Sequence, residues 1–125
     1  MQDLRQTIRP EIITERAAQG EAEQFQNNVL RPILKMQNDL LLAVYKHYLQ
    51  KRKVKYDSMS KEQRLAWIER SLQKDNRLRG VLLGTVVGQF TLDEWHAYRA
   101  DESELKRRIF NLMTQRLQSQ AKLLL

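Results

Sequence analysis

Apolar residues recur every three to four positions through most of this chain, which is the spacing of one face of an α-helix. No segment alternates apolar and polar residues over the length of a half-buried strand. Glycine and proline, which would interrupt helices, number only four and two among the 125 residues. The sequence therefore predicts an all-α fold. We expect a single helical domain of about five helices at residues 21–125, preceded by a partly helical or disordered N-terminal arm at residues 1–20.

The longest predicted helix covers residues 21–53. Pro32 lies inside it, and a proline within a helix removes a backbone hydrogen bond and clashes with the preceding turn. We therefore expect Pro32 either to kink this helix or to lie in its first turn.

Helix starts and stops divide the rest of the chain. Three pairs at the spacing of a capping box predict N-termini: Ser60 with Gln63, Thr91 with Glu94, and Asp101 with Glu104. The helix that begins after Ser60 is expected to end near residue 74, before Asp-Asn at 75–76. The helix that follows is expected to reach about residue 87, and Gly88 is expected to stop it.

One polar residue lies in the middle of the long helix's apolar stripe. At 100° per residue, Gln37 falls between Leu30, Leu41, Val44 and Tyr48. A buried amide without hydrogen-bond partners costs roughly 1–3 kcal/mol, so we expect the Gln37 amide to have a partner. Three interpretations remain open: a satisfied core amide, a polar residue that fixes the alignment of a helix–helix dimer, or a ligand contact within a pocket.

The leading functional hypothesis from the sequence is a non-catalytic cytoplasmic protein that self-associates, with a dimer as the expected homo-oligomer. It would use part of the stripe around Gln37, whose amide would fix the register. Under this hypothesis, replacing Gln37 by Leu should raise thermal stability and loosen the oligomeric state. A small-ligand binder or enzyme with a pocket around Gln37 ranks third.

The net charge of +7 is unevenly distributed and supports a second hypothesis. Residues 25–53 carry six basic residues against one acidic residue, and residues 61–79 carry six against three. Such an excess attracts acidic partners, either RNA or an acidic protein. The alternative is that the cations end a helix, where the helix dipole favours them. The candidate basic patch comprises Lys46, Lys51, Arg52, Lys53 and Lys55.

Gly80, Gly84 and Gly88 recur every four residues and so lie on nearly one face of a helix. Such a face lets another backbone approach closely. We expect it to pack against the long helix, and a groove for a flat ligand is the functional alternative.

The sequence carries no signature of catalysis. Cysteine is absent, and the two histidines, His47 and His96, have no second ligand at metal-binding spacing. Nucleophile, Walker and dinucleotide motifs are also missing. The helix at 77–87 is too apolar to read base edges, which argues against sequence-specific DNA binding. We expect no cofactor, no metal, no membrane span and no enzymatic activity, and a cytoplasmic location fits the lack of cysteine.

Three segments carry a resemblance: "RPILKMQNDLLL" (31–42), "GQFTLDEW" (88–95) and "LKRRI" (105–109). Together they resemble an uncharacterised family of small helical bacterial proteins, and the likeness covers nearly the whole chain from residue 9. Some members of that family bear the label glyoxalase. The resemblance implies a helical fold and a bacterial origin. It implies no activity, because the chain lacks the strands and metal ligands that glyoxalase chemistry needs.

Overall fold

The structure, a computed structural model, describes Arg5, Ile8, Arg9 and residues 20–125. These residues are all-α and contain no strand, which confirms the predicted fold class. No helix among them is long and apolar enough to cross a membrane. The helices are α1 (Glu21–Phe25), α2 (Arg31–Met36), α3 (Asn38–Lys51), α4 (Lys61–Lys74), α5 (Asn76–Val87), α6 (Leu92–Ala100) and α7 (Glu102–Ser119), with a π-helical turn at Gln26–Leu30 and 3₁₀ turns at Tyr56–Ser58 and Ala121–Leu124.

The predicted long helix is present but interrupted twice. The first interruption is the π-helical turn, which ends just before α2 begins, and Pro32 is the second residue of α2. The wider turn makes room for the proline ring, which would clash with the preceding turn of a regular α-helix. The second interruption is Gln37, whose backbone leaves helical geometry (φ −91°, ψ 8°) between α2 and α3. Pro32 therefore lies in the first turn of α2 rather than in the first turn of the predicted helix at residues 21–53.

The basic residues at 51–53 lie at the C-terminal end of α3. The helix ends at Lys51, with Arg52 as its C-cap, so these cations do lie at a helix C-terminus. Lys53 has a positive φ of 55°, and the amide of Val54 donates to the carbonyl of Leu49. This is a Schellman ending with lysine in the position that glycine usually occupies.

Two of the three predicted capping boxes are confirmed. The side chains of Ser60 and Thr91 accept from the third residue of α4 and α6, and the return bonds from Gln63 and Glu94 are present. At the third, the predicted N-terminus is confirmed because α7 begins directly after Asp101, but the capping box is wrong because no side chain caps the helix. Its expected partner Glu104 pairs with arginines instead, three and four residues along the helix: Arg107 and Arg108.

The core forms where α4 packs on α5 and α7, while α3 packs on α5 and on the C-terminal 3₁₀ turn. The predicted packing of the glycine face against the long helix is wrong. Gly80 and Gly84 face solvent, and a methyl group added to either would meet no atom within 4 Å. Gly88 does follow the end of α5, as predicted. The fully buried core includes Leu30, Ile33, Leu41, Tyr45, Ile68, Leu82, Val86, Ile109, Met113 and Leu117.

One described residue of the N-terminal arm is anchored to this core. The Arg9 guanidinium forms a two-pronged ion pair with the Glu94 carboxylate, at 2.7 and 2.9 Å, and also donates to the carbonyl of Gln89. Both side chains are nearly enclosed, with exposed fractions of 5% and 9%. The other predicted features of the arm, at residues 1–4, 6–7 and 10–19, lie outside the described residues.

We expect Arg9→Met to lower the free energy of unfolding by about 3 kcal/mol, because it removes a two-pronged, nearly enclosed ion pair from the buried Glu94 carboxylate. Urea unfolding would measure the loss. Arg70→Met, at an exposed position, is the matched control. The double variant Arg9→Met/Glu94→Gln should recover part of the loss, since the buried negative charge is then removed. Equal stability of Arg9→Met and Arg70→Met would contradict this account.

Candidate functional site

The Gln37 amide has a partner within the chain. Its Nε2 donates to the carbonyl oxygen of Thr85, in the last turn of α5, at 3.0 Å. Carbonyls in the last turn of a helix lack an intrahelical donor. Here the amide of Gln89, which would be the regular donor, bonds to Val86 instead. Gln37 therefore satisfies the end of a neighbouring helix, as the core-amide interpretation predicted.

The other members of the stripe divide into two groups. Leu30 and Leu41 are enclosed in the core of this chain, whereas Val44 and Tyr48 remain partly exposed. Gln37 is half-buried as well, but it does not line the cavities that Val44 and Tyr48 line. The C-terminal end of the stripe is therefore the part that forms the wall of a cavity.

Two cavities, of about 370 and 530 Å³, meet at this end of the stripe. They share Tyr48, Arg52 and Asp75, and we call their combined surface the basic cleft. Of the described residues that line it, five are basic and one is acidic. The basic cleft is lined by Val44, His47, Tyr48, Lys51, Arg52, Trp67, Arg70, Ser71, Lys74, Asp75, Asn76, Arg77, Leu78 and Val81.

Asp75 organises the cleft because it lies at the junction of α4 and α5. One carboxylate oxygen accepts from the backbone amide of Leu78 at 3.0 Å and so caps α5, and the other pairs with Arg52 at 2.5 Å. The Leu78 amide and then the Arg52 guanidinium hold the pKa of Asp75 below its usual value. Asp75 is therefore ionised at neutral pH and compensates one of the five cations.

Two aromatic rings lie among these cations. The Arg52 guanidinium lies over the Tyr48 ring, 5.6 Å from its centre. Burial, and next the Asp75 carboxylate, raise the pKa of the Tyr48 phenol, so that it stays protonated. The second ring is that of Trp67, whose indole Nε1 is buried and has no hydrogen-bond partner among the described residues. The cleft therefore offers aromatic surface as well as positive charge.

A buried hydrogen-bond chain supports the floor of the cleft. Ser71 donates to the carbonyl of Ile68 at 3.0 Å, and the Tyr45 hydroxyl lies 2.7 Å from the Ser71 oxygen. Because the Ser71 proton is already used, Tyr45 is the donor in the second bond. Burial raises the pKa of Tyr45, which keeps that proton in place. These two hydrogen bonds connect α3 to α4 beneath the cleft.

The structure brings only part of the predicted basic patch into the cleft. Lys51 and Arg52 line it, whereas Lys46, Lys53 and Lys55 do not, although Lys53 and Lys55 are exposed. The patch as predicted missed the contribution of α4 and α5. The charge excess at residues 61–79 was the available signal for it. The residues that the patch missed are Trp67, Arg70, Lys74 and Arg77.

Comparisons of the chain with protein-family models, with curated proteins and with solved structures gave no match. The resemblance to small helical bacterial proteins therefore stays a prediction.

We expect Gln37→Leu to lower the free energy of unfolding by about 1 kcal/mol, because it leaves the Thr85 carbonyl without a donor. The self-association hypothesis predicts the opposite sign. The control is Gln50→Leu, the same substitution at an exposed position in α3. Thermal and urea unfolding of both variants would decide, and a gain in stability for Gln37→Leu alone would contradict the role assigned to this amide.

Proposed function

We propose that this protein binds single-stranded RNA through the basic cleft. The observation that carries the proposal is the convergence of five cations and two aromatic rings on one concave surface, with a single acidic side chain among the described lining residues.

The cations suit the phosphate backbone of a nucleic acid. Arg70, Lys74 and Arg77 come from the end of α4 and the start of α5, where no ion pair with a described acidic residue holds them. Releasing the counterions condensed on RNA supplies most of the free energy when such side chains contact phosphates. Three phosphate contacts would give a slope of about −2 for log K against log salt concentration.

The aromatic rings favour RNA over an acidic protein. Every base has a π-face, and stacking on Tyr or Trp contributes roughly 1–3 kcal/mol per base in single-strand binders. An acidic peptide would use the cations but gain nothing comparable from Tyr48 and Trp67. A duplex hides the faces of its bases, so an unpaired strand is the better fit.

The test measures the affinity for a labelled single-stranded RNA of about 12 nucleotides by fluorescence anisotropy over a range of salt concentrations. We expect the steep slope given above and a loss of about tenfold in affinity for Arg70→Gln/Lys74→Gln. Lys61→Gln/Lys122→Gln removes the same charge from exposed positions outside the cleft, and it should change the affinity by no more than about twofold.

Three outcomes would contradict the proposal. One is the absence of binding at low salt, and another is an equal loss for the two double variants. The third is a polyglutamate chain of similar length that binds as tightly as the RNA, which would assign the cleft to acidic proteins instead.

Self-association is the second candidate, and the exposed apolar surface beside the cleft favours it. Leu40 and Val81 are 46% and 52% exposed, and Leu40 lies one turn before Val44, which lines the cleft together with Val81. A homodimer through α3 and α5 would cover these residues. Val81→Asp should then convert a dimer to a monomer in light scattering, and a monomer before the substitution would remove this candidate. Both proposals assume a cytoplasmic protein, as the cysteine-free sequence suggests.

A further inference from the structure

A separate cavity of about 330 Å³ lies between α2 and the C-terminal half of α7 and shares no residue with the basic cleft. Two arginines line it, Arg31 from α2 and Arg116 from α7, and both are half-buried. The buried side chains of Leu34 and Leu112 supply its apolar surface. The remaining lining residues are Gln115, Ser119 and Gln120.

Amides rather than carboxylates hold the two guanidinium groups. Arg31 donates from Nε to the side-chain oxygen of Asn27 at 3.1 Å, and Arg116 donates to that of Asn38 at 3.3 Å. Asn38 is itself fixed by a reciprocal amide pair with Gln120, with both distances at 2.8 Å. Amide oxygens orient a guanidinium but leave its charge uncompensated.

No described carboxylate forms an ion pair with either arginine. Both arginines line the same cavity, and burial, followed by the like charge of Arg31, lowers the pKa of Arg116. Two half-buried like charges beside apolar surface are unfavourable unless an anion joins them.

We propose that this cavity binds a phosphate group through Arg31 and Arg116. Guanidinium groups match phosphate oxygens in two-pronged geometry, and two cations on separate helices can engage more than two oxygens at once. A phosphate group near pH 8 carries close to two negative charges, which match the two arginines, whereas a carboxylate carries one. The volume leaves room for a small organic group, so the source is either free phosphate or a phosphate monoester.

Isothermal titration calorimetry on the full chain at pH 8 and constant ionic strength tests the proposal, with inorganic phosphate as the probe. We expect saturable binding of one phosphate per chain. Arg116→Gln and Arg31→Gln should each raise the dissociation constant about tenfold or more, because each removes charge-assisted hydrogen bonds. The control is Lys61→Gln, at an exposed position that lines neither the basic cleft nor this cavity, which should change the dissociation constant less than about twofold.

Further probes distinguish the sources of the phosphate group. Tighter binding of glycerol 2-phosphate than of inorganic phosphate would assign the site to monoesters, and the reverse order would assign it to free phosphate. Acetate binding as tightly as phosphate would overturn the proposal. So would the absence of phosphate binding, or an equal loss in Lys61→Gln. If Arg116→Gln does not fold, Arg31→Gln decides, since the side chain of Arg31 bonds, among the described residues, only to Asn27 one turn away.

Discussion

The carboxylate of Asp75 is the interaction that joins the fold of this protein to its proposed binding surface. The carboxylate caps the first turn of α5 and pairs with Arg52 beyond the end of α3, while the backbone of the same residue forms the C-cap of α4. Three helix termini therefore meet at one side chain. Because the direction of α5 relative to α4 is set at this junction, the positions of the cations on both helices depend on it.

The same arrangement explains why the cleft can keep its positive charge. A set of neighbouring cations destabilises a folded chain through mutual repulsion. Here one ionised carboxylate offsets part of the repulsion, and the buried hydrogen bond between Tyr45 and Ser71 joins the two helices that carry several of the cations. The second cavity follows a related logic, since Arg31 and Arg116 are oriented by neutral amides. In both places positive charge is positioned without being fully neutralised.

Local features of the fold were predictable from the sequence because local interactions determine them. Capping boxes at Ser60 and Thr91, the break at Asp75 and the disturbance at Pro32 all depend on residues within a few positions of one another. The capping box expected at Asp101 failed for an equally local reason. Arginines one turn along α7 compete for the same glutamate.

Features that depend on how the helices pack were not predictable in the same way. The partner of Gln37 lies 48 positions along the chain, and no periodicity points to the Thr85 carbonyl. The glycine face could equally have packed inward, and only the position of α5 turns it to solvent. For the cleft, the sequence contained both charge excesses, but their convergence on Tyr48 and Trp67 requires the turn at Asp75.

The most direct measurement of the central claim uses the two tryptophans, Trp67 in the cleft and Trp95 outside it. Each gives one indole N–H signal in a ¹H–¹⁵N correlation spectrum. Adding single-stranded RNA should shift the Trp67 signal and leave the Trp95 signal in place, because Trp67 alone of the two lines the basic cleft. A shift of the Trp95 signal with no change at Trp67 would contradict the assignment of RNA binding to this surface.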